Sequence, residues 1–170
     1  LPNVVTSLEF ERILSASGPY QGHLMRPYDR EEPQKIAWLQ CVGSRDINRC
    51  DNSYCSAVCC MYAIKEAVIA KEHAHGELDT AIFYMDMRTY GKDFELYYNR
   101  AQEEGVRFIR SRIHSIEPEG ECGQLLSYVD DQGELQSEVF DMVVLSVGFE
   151  VGEEVIALCK RLGIELNQQN

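Results

Sequence analysis

Four cysteines within a window of twenty residues constrain this chain more than any other feature: Cys41, Cys55, Cys59 and Cys60. The first follows a short apolar run, and the other three lead into a stretch with helical spacing. A nucleotide-binding α/β domain carries a glycine-rich phosphate loop at such a strand-to-helix junction. Here the junction has a single glycine, Gly43, and a set of thiols. We therefore predict a site for a soft metal centre where a pyrophosphate would otherwise bind.

The bulk composition is that of a soluble globular protein. A chain of 170 residues, with 45% hydrophobic and 26% charged residues, is long enough for one domain with its own core. Its apolar runs are too short for a membrane span, and its first residues lack a secretory signal, so we expect a cytoplasmic protein without membrane insertion. The net charge of −12 argues against a nucleic-acid partner, which needs clustered Lys and Arg. Both ends resemble the middle of a protein, so we expect this chain to be a piece of a longer one.

The spacing of apolar residues predicts alternating strands and helices. Strands are predicted at 36–42, 80–86 and 106–109, and helices at 54–73 and 92–104, the latter ended by Gly105. This alternation implies right-handed crossovers and a mainly parallel sheet. Short strands separated by glycine-containing turns follow at 113–117, 125–129 and 135–139, then a last strand at 142–147 and a helix at 155–162. We predict a three-layer α/β fold with an antiparallel β-meander that extends the central sheet or lies against it.

Changes in composition divide the chain into three parts. Residues 1–34 are predicted to be a connector, with a capped helix between residues 6 and 14 followed by a loop rich in glycine and proline. Residues 35–148 form the α/β domain that carries the cysteine motif, and residues 149–170 form a C-terminal helix with its flank.

The position of the cysteines suggests how they could form one site. A helix N-terminus stabilises thiolates through its free N–H groups and its dipole. We expect Cys55, Cys59 and Cys60 in the opening of the predicted helix at 54–73, with the first two sharing one face. Cys60 is rotated by about 100° from Cys59, so all three converge only if the first turn is bent or begins later. Cys41, at the end of the preceding strand, faces the same crevice.

Several chemistries fit four thiols. The spacing favours an iron–sulfur cluster over zinc, because zinc sites usually present paired knuckles of closely spaced cysteines. Three alternatives stay open: zinc that only braces an interaction module, a thiol–disulfide domain that uses Cys59 and Cys60, and buried structural cysteines. Cys50 lies between Arg49 and Asp51, which suggests an exposed loop, and Cys122 and Cys159 stand alone.

Several stretches together point to a known family. They are Gly18-Pro19, Gly22-His23, Arg26-Pro27, the heptapeptide QCVGSRD at 40–46, the decapeptide YCSAVCCMYA at 54–63, Asp86-Met87-Arg88, Gly91-Lys92, GVRFI at 105–109 and VVLSVG at 143–148. With these stretches the chain resembles the A subunit of heterodisulfide reductase and its bacterial relatives, among them the flavoprotein subunit of the quinone-interacting membrane-bound oxidoreductase complex. The resemblance covers nearly the whole chain.

The resemblance implies a flavoprotein of thioredoxin-reductase-like architecture, in which this chain is the equivalent of the NAD(P)-binding domain with short flanks from the flavin domain. It implies that Cys41, Cys55, Cys59 and Cys60 hold a [4Fe–4S] cluster near the flavin, and that Cys50 is not a ligand. The chain lacks the glycine-rich FAD motif and ferredoxin-type cysteine clusters, so we expect FAD only in the full-length protein. The implied role is electron transfer to other iron–sulfur subunits of such a complex, and we expect the chain alone to catalyse nothing.

Overall fold

The computed structural model describes residues 1–167 of the chain. The strands are β1 Val4–Thr6, β2 Lys35–Leu39, β3 Asp79–Phe83, β4 Val106–Ile109, β5 Glu117–Glu119, β6 Gly123–Val129, β7 Leu135–Phe140 and β8 Met142–Leu145. The helices are α1 Ser7–Leu14, α2 Ile47–Cys50, α3 Cys59–His73, α4 Phe94–Glu103 and α5 Glu153–Leu162. Within the described residues, no helix is both long and apolar enough to cross a membrane.

A parallel sheet of five strands in the order β1-β8-β2-β3-β4 forms the centre of the fold. The last strand, β8, lies between β1 and β2, and it pairs in parallel with both. The crossovers between β2, β3 and β4 contain α3 and α4, as expected for consecutive parallel strands. The strands β5, β6 and β7 form a separate antiparallel sheet, which is the predicted meander.

Residues on the two faces of the parallel sheet belong to two different cores. Trp38 and Ile82 face the helices and pack with Phe10 of α1 and Ile64 of α3. Their neighbours on the other face, with Phe83 among them, pack against the antiparallel sheet. Side chains alternate between the faces of a strand, so consecutive apolar residues serve both cores. The predicted three-layer α/β fold is confirmed, with helices, parallel sheet and antiparallel sheet as its layers.

The segment 1–34 contains more than the predicted helix and loop. Its helix α1 has the expected cap: the Thr6 hydroxyl accepts a hydrogen bond from the Glu9 N–H, and the Glu9 carboxylate accepts one from the Thr6 N–H. Just before it, however, β1 joins the edge of the parallel sheet, with Val4 opposite Val143. A three-residue strand leaves no periodic pattern, so the sequence alone did not predict it.

Several predicted strand boundaries differ from those of the structure. Three predicted strands were expected to run to residues 42, 86 and 147, but β2, β3 and β8 end at Leu39, Phe83 and Leu145. The apolar runs continue beyond these points, yet the backbone leaves the sheet at its carboxyl edge. The first strand of the meander begins at Glu117 instead of residue 113, because Ile113 and Ile116 lie in the connection and pack against the second core. By contrast, β4 matches its predicted bounds, and Gly105, with a φ of 81°, follows α4 as expected.

Candidate metal centre

The cysteine motif lies at the carboxyl edge of the parallel sheet. Cys41 comes two residues after β2, Cys59 and Cys60 are the first residues of α3, and Cys55 precedes that helix in a loop. Cys41, Cys59 and Cys60 are buried, whereas Cys55 is half-buried. Within residues 1–167 all cysteines are free thiols. The structure thus brings three separate chain segments together at one end of the sheet.

Main-chain hydrogen bonds hold the backbone around Cys41. The N–H of Gln40 donates to the carbonyl of Phe83 at 3.0 Å, and the N–H of Val42 donates to the carbonyl of Ser146 at 3.2 Å. Cys41 itself adopts a left-handed conformation with a φ of 60°. The chain after β2 is therefore tied to the ends of both neighbouring strands, which determines where the Cys41 thiol lies.

The prediction that Cys55 and Cys59 share a helix face is wrong. The helix α3 begins at Cys59 and not at Tyr54. Ala57 has a left-handed φ of 59°, which breaks any helix through residues 55–58. The Cys55 sulfur instead accepts a hydrogen bond from the Ala57 N–H at 3.3 Å. The later start frees Cys55 to turn toward the other thiols from outside the helix.

The buried thiols Cys41, Cys59 and Cys60 lie close enough to other thiols of the motif for their pKa values to be affected. The pKa of Cys60 is raised to about 11: burial is the largest cause and negative charge on Cys41, Cys55 and Cys59 adds to it, whereas a hydrogen bond from the Arg88 backbone lowers the pKa. Burial also raises the pKa of Cys41, as do Cys55 and Cys59, whereas the guanidinium of Arg45 lowers it. The Cys60 thiol faces the Asp86 carbonyl at 3.8 Å. Without a bound cation, Cys41, Cys59 and Cys60 therefore favour the neutral thiol.

Left-handed backbone is concentrated around these residues. Besides Cys41 and Ala57, Arg45 has a φ of 55° and Asp51 a φ of 49°. Each such conformation costs roughly 1–2 kcal/mol for a residue with a Cβ. Strain of this kind persists where surrounding contacts impose it, and it clusters at functional sites.

The chemistry of the donors matches an iron–sulfur centre. Four thiols are the ligand set of a [4Fe–4S] cluster, and a buried guanidinium nitrogen of Arg45 beside them lacks an acceptor among the described residues. In the part of the chain that the structure describes, however, no group of three or more His, Cys, Asp or Glu side chains is arranged as it would be around a metal ion. The residues therefore fit such a group by their donor chemistry alone.

The remaining cysteines lie apart from this set. Cys50 is exposed at the end of α2, although it lines the same cleft as Cys41. Cys122 lies beside Asp29, which raises the pKa of its thiol. Cys159 is on α5. None of the three is among the main causes of the pKa shifts of Cys41, Cys59 or Cys60.

Comparison with known proteins identifies the family. The chain is 44% identical over 167 residues to one of the CoB–CoM heterodisulfide reductase iron-sulfur A subunits of Methanopyrus kandleri, a match that covers 93% of this chain. It is 43% identical to the corresponding A subunit of Methanocaldococcus jannaschii, over 97% of the chain. A protein of Archaeoglobus profundus that is described as like the heterodisulfide reductase A subunit is 35% identical over 99% of it.

The chain belongs to the family of heterodisulfide reductase A subunits. It spans about a quarter of the length of these relatives, 25%, 25% and 26% respectively. No protein-family model matches it.

Solved structures similar to this member of the A-subunit family show the same fold. The thioredoxin reductase of T. acidophilum aligns with a TM-score of 0.55 at 12% identity, covering 99% of this chain and 42% of that one. The Lactococcus lactis thioredoxin reductase aligns with a TM-score of 0.51 at 19% identity, covering 80% and 37%. The predicted thioredoxin-reductase-like architecture is therefore confirmed at the level of the fold.

Sequence reasoning missed the contacts that hold the loop before α3 in this A-subunit segment. The N–H of Phe149 donates to the Ser56 hydroxyl at 2.9 Å, and the Tyr54 hydroxyl donates to the Phe149 carbonyl at 3.1 Å. Between them Gly148, with a φ of 75°, leaves no room for a side chain: a Cβ there would lie 2.6 Å from the Ser56 hydroxyl and 3.0 Å from that of Ser44. A glycine just after a buried strand is the only signal in the sequence for this contact.

We expect Gly148→Ala to destabilise the protein by about 2–3 kcal/mol, because it adds a left-handed alanine and a clash with the loop that carries Cys55. Gly133→Ala is the matched control, since Gly133 has a φ of 83° but open space around it. That control should lose only about 1 kcal/mol. Urea unfolding measures both values. Equal losses would show that the contact between Gly148 and Ser56 does not hold the loop.

Proposed function

We propose that this chain is the iron–sulfur segment of a flavin-dependent oxidoreductase, and that Cys41, Cys55, Cys59 and Cys60 hold a [4Fe–4S] cluster. The observation that carries the proposal is the position of these free thiols at one edge of the sheet, where three chain segments meet and where neighbouring thiols raise the pKa of Cys41 and Cys60. The Methanopyrus kandleri and Methanocaldococcus jannaschii relatives are named iron-sulfur subunits, which supports it.

The buried thiols of the site need a nearby positive charge to become thiolates. Thiols that bind iron lose their protons, so the burial that raises the pKa of Cys60 disfavours the unbound thiolates. A bound cluster supplies one-electron transfer at a potential that the surrounding protein tunes. The residues of this chain then have three tasks. They bind the irons, exclude water from the centre and compensate the net negative charge of the cluster with its four thiolates.

The larger protein would supply the rest of the chemistry. We propose that FAD binds mainly to the three quarters of the polypeptide that this chain does not span, and that residues 1–34 continue from that flavin domain. Residues 35–148 form the equivalent of the NAD(P)-binding domain, and residues 149–170, of which the last three lie outside the described residues, form its flank. Electrons would pass between the flavin and iron–sulfur subunits of a heterodisulfide-reductase-like complex, as the multi-subunit names of the relatives suggest.

A thiol–disulfide function for Cys59 and Cys60 is less favourable. The two residues are consecutive at the start of α3, so their Cα atoms are about 3.8 Å apart. Disulfides usually join Cα atoms that are separated by about 4.4–6.8 Å. Redox-active cysteines also have lowered pKa values, whereas burial raises the pKa of both thiols here.

Metal analysis of the anaerobically purified 170-residue chain tests the proposal. We expect about four irons and four acid-labile sulfides per chain, a brown colour, and an electron paramagnetic resonance signal after reduction. One zinc per chain without iron would instead establish the braced interaction module. A metal-free protein that is two mass units lighter than the reduced chain would contain one disulfide, and its assignment to Cys59 and Cys60 would favour the thiol–disulfide domain.

A further inference from the structure

Arg45 lies between the chain segments that carry the cysteines and is bonded to residues distant from it in sequence. It lies four residues after Cys41, and its backbone N–H donates to the carbonyl of Tyr54, next to Cys55, at 3.3 Å. Its Nη2 donates to the Asp86 carboxylate at 2.7 Å. The carbonyl of Asp86 faces the Cys60 thiol. Arg45 therefore contacts residues that adjoin Cys55 and Cys60.

The other guanidinium nitrogen of Arg45 is the unusual one. Nη1 is buried and reaches no hydrogen-bond acceptor within residues 1–167. An arginine carries five N–H donors and is always charged, so a buried nitrogen without an acceptor is unfavourable. The guanidinium group as a whole nevertheless lies within hydrogen-bonding reach of the Cys41 side chain. An anionic sulfur at the cysteine site would provide the acceptor.

We propose that Arg45 is a tuning residue, whose guanidinium, oriented by Asp86, faces the sulfur atoms of the cysteine site and stabilises the reduced state of the centre held there. This inference rests on the function proposed above. Reduction of a [4Fe–4S] centre with four thiolate ligands adds one electron, which changes its net charge from −2 to −3 without making or breaking a bond. A fixed positive charge and a hydrogen bond to sulfur favour the more negative state, so they raise the midpoint potential.

The other charges near Asp86 differ from Arg45 in exposure. Arg110 lies 3.7 Å from the same carboxylate, but 67% of its side chain is exposed, against 24% for Arg45. Arg88 also lowers the pKa of Asp86, although less than Arg45 does. Charges in water are screened, and exposed ion pairs contribute little. Arg110 is therefore a matched control, with the same charge and the same partner but a largely exposed side chain.

The test compares wild type with R45Q, R45K and R110Q, each reconstituted anaerobically with iron and sulfide. The midpoint potential is measured by a redox titration that follows the electron paramagnetic resonance signal. R45Q should shift to a more negative potential, by several times the change in R110Q, and R45K should shift less than R45Q because it keeps the charge. Equal potentials in R45Q and R110Q would overturn the proposal.

R45Q could also fail to bind iron, and R45K then decides. A cluster in R45K at a potential close to that of wild type supports the role of the charge. If both variants lack iron while circular dichroism shows them folded, Arg45 serves the structure of the loop and the tuning role is wrong. Wild type without iron contradicts the proposed function, and this inference with it, whereas a wild-type cluster with an unshifted R45Q contradicts Arg45 alone.

Discussion

Replacing Cys60 by alanine should abolish formation of a stable [4Fe–4S] cluster. The same result is expected for alanine at Cys41, Cys55 or Cys59. Each of the four irons of the cluster needs its own ligand, so all four thiols are required. Iron and sulfide content, with the electron paramagnetic resonance signal of the reduced protein, measures the loss. In the longer flavoprotein these changes should stop electron transfer while the flavin stays bound.

The other cysteines are the controls for this experiment. Alanine at Cys122 or Cys159 should leave iron content and signal unchanged. Cys50 is the most demanding control, since it is exposed but lines the same cleft as Cys41. If the Cys50 variant loses the signal and the Cys41 variant keeps it, our assignment of the ligands is wrong.

Replacing Glu66 by glutamine should remove a large pH dependence of stability. Glu66 is fully buried on α3. Its Oε2 accepts a hydrogen bond from the Trp38 indole at 2.8 Å, whereas its Oε1 has no partner among the described residues. The pKa of Glu66 is raised to about 8: burial and, less strongly, the charge of Glu11 raise it, whereas the Trp38 hydrogen bond and the charge of Lys65 lower it. The carboxyl group is therefore neutral in the folded protein at pH 7.

The sign of the effect follows from proton binding. Between the unfolded pKa of 4.5 and the folded pKa of about 8, the folded state binds more protons at Glu66 than the unfolded state. The free energy of unfolding therefore falls as the pH rises through this interval, by up to several kcal/mol. Glu66→Gln has no proton to lose, so it should be more stable than wild type above pH 8 and similar to it near pH 5.

Urea unfolding from pH 5 to 9 measures this difference. Glu72→Gln is the matched control, because Glu72 lies on the same helix with 55% of its side chain exposed. It should keep the pH profile of wild type. Parallel profiles for wild type and Glu66→Gln would show that Glu66 is already ionised in the folded protein, or that water reaches it.

Local signals in the sequence determined most of the secondary structure. Thr6 and Glu9 form the cap of α1 within one turn, and Gly105 ends the segment after α4 through its own left-handed conformation. Alternating apolar runs were enough to predict parallel strands, helical crossovers and a meander, because the apolar spacing that marks each strand or helix lies within that element and the order of elements limits the topology. The spacing of the cysteines likewise selected four residues, and their role as ligands stays a prediction.

Only the tertiary structure decided the features that depend on distant residues. The pairing of β1 with β8 joins Val4 to Val143, and no local pattern marks it. The start of α3 at Cys59 depends on a left-handed Ala57, which alanine does not favour by itself. Arg45 meets Asp86 across 41 residues of sequence. Each of these arrangements is stabilised by contacts that exist only after the chain has folded. The sequence around each residue therefore does not predict them.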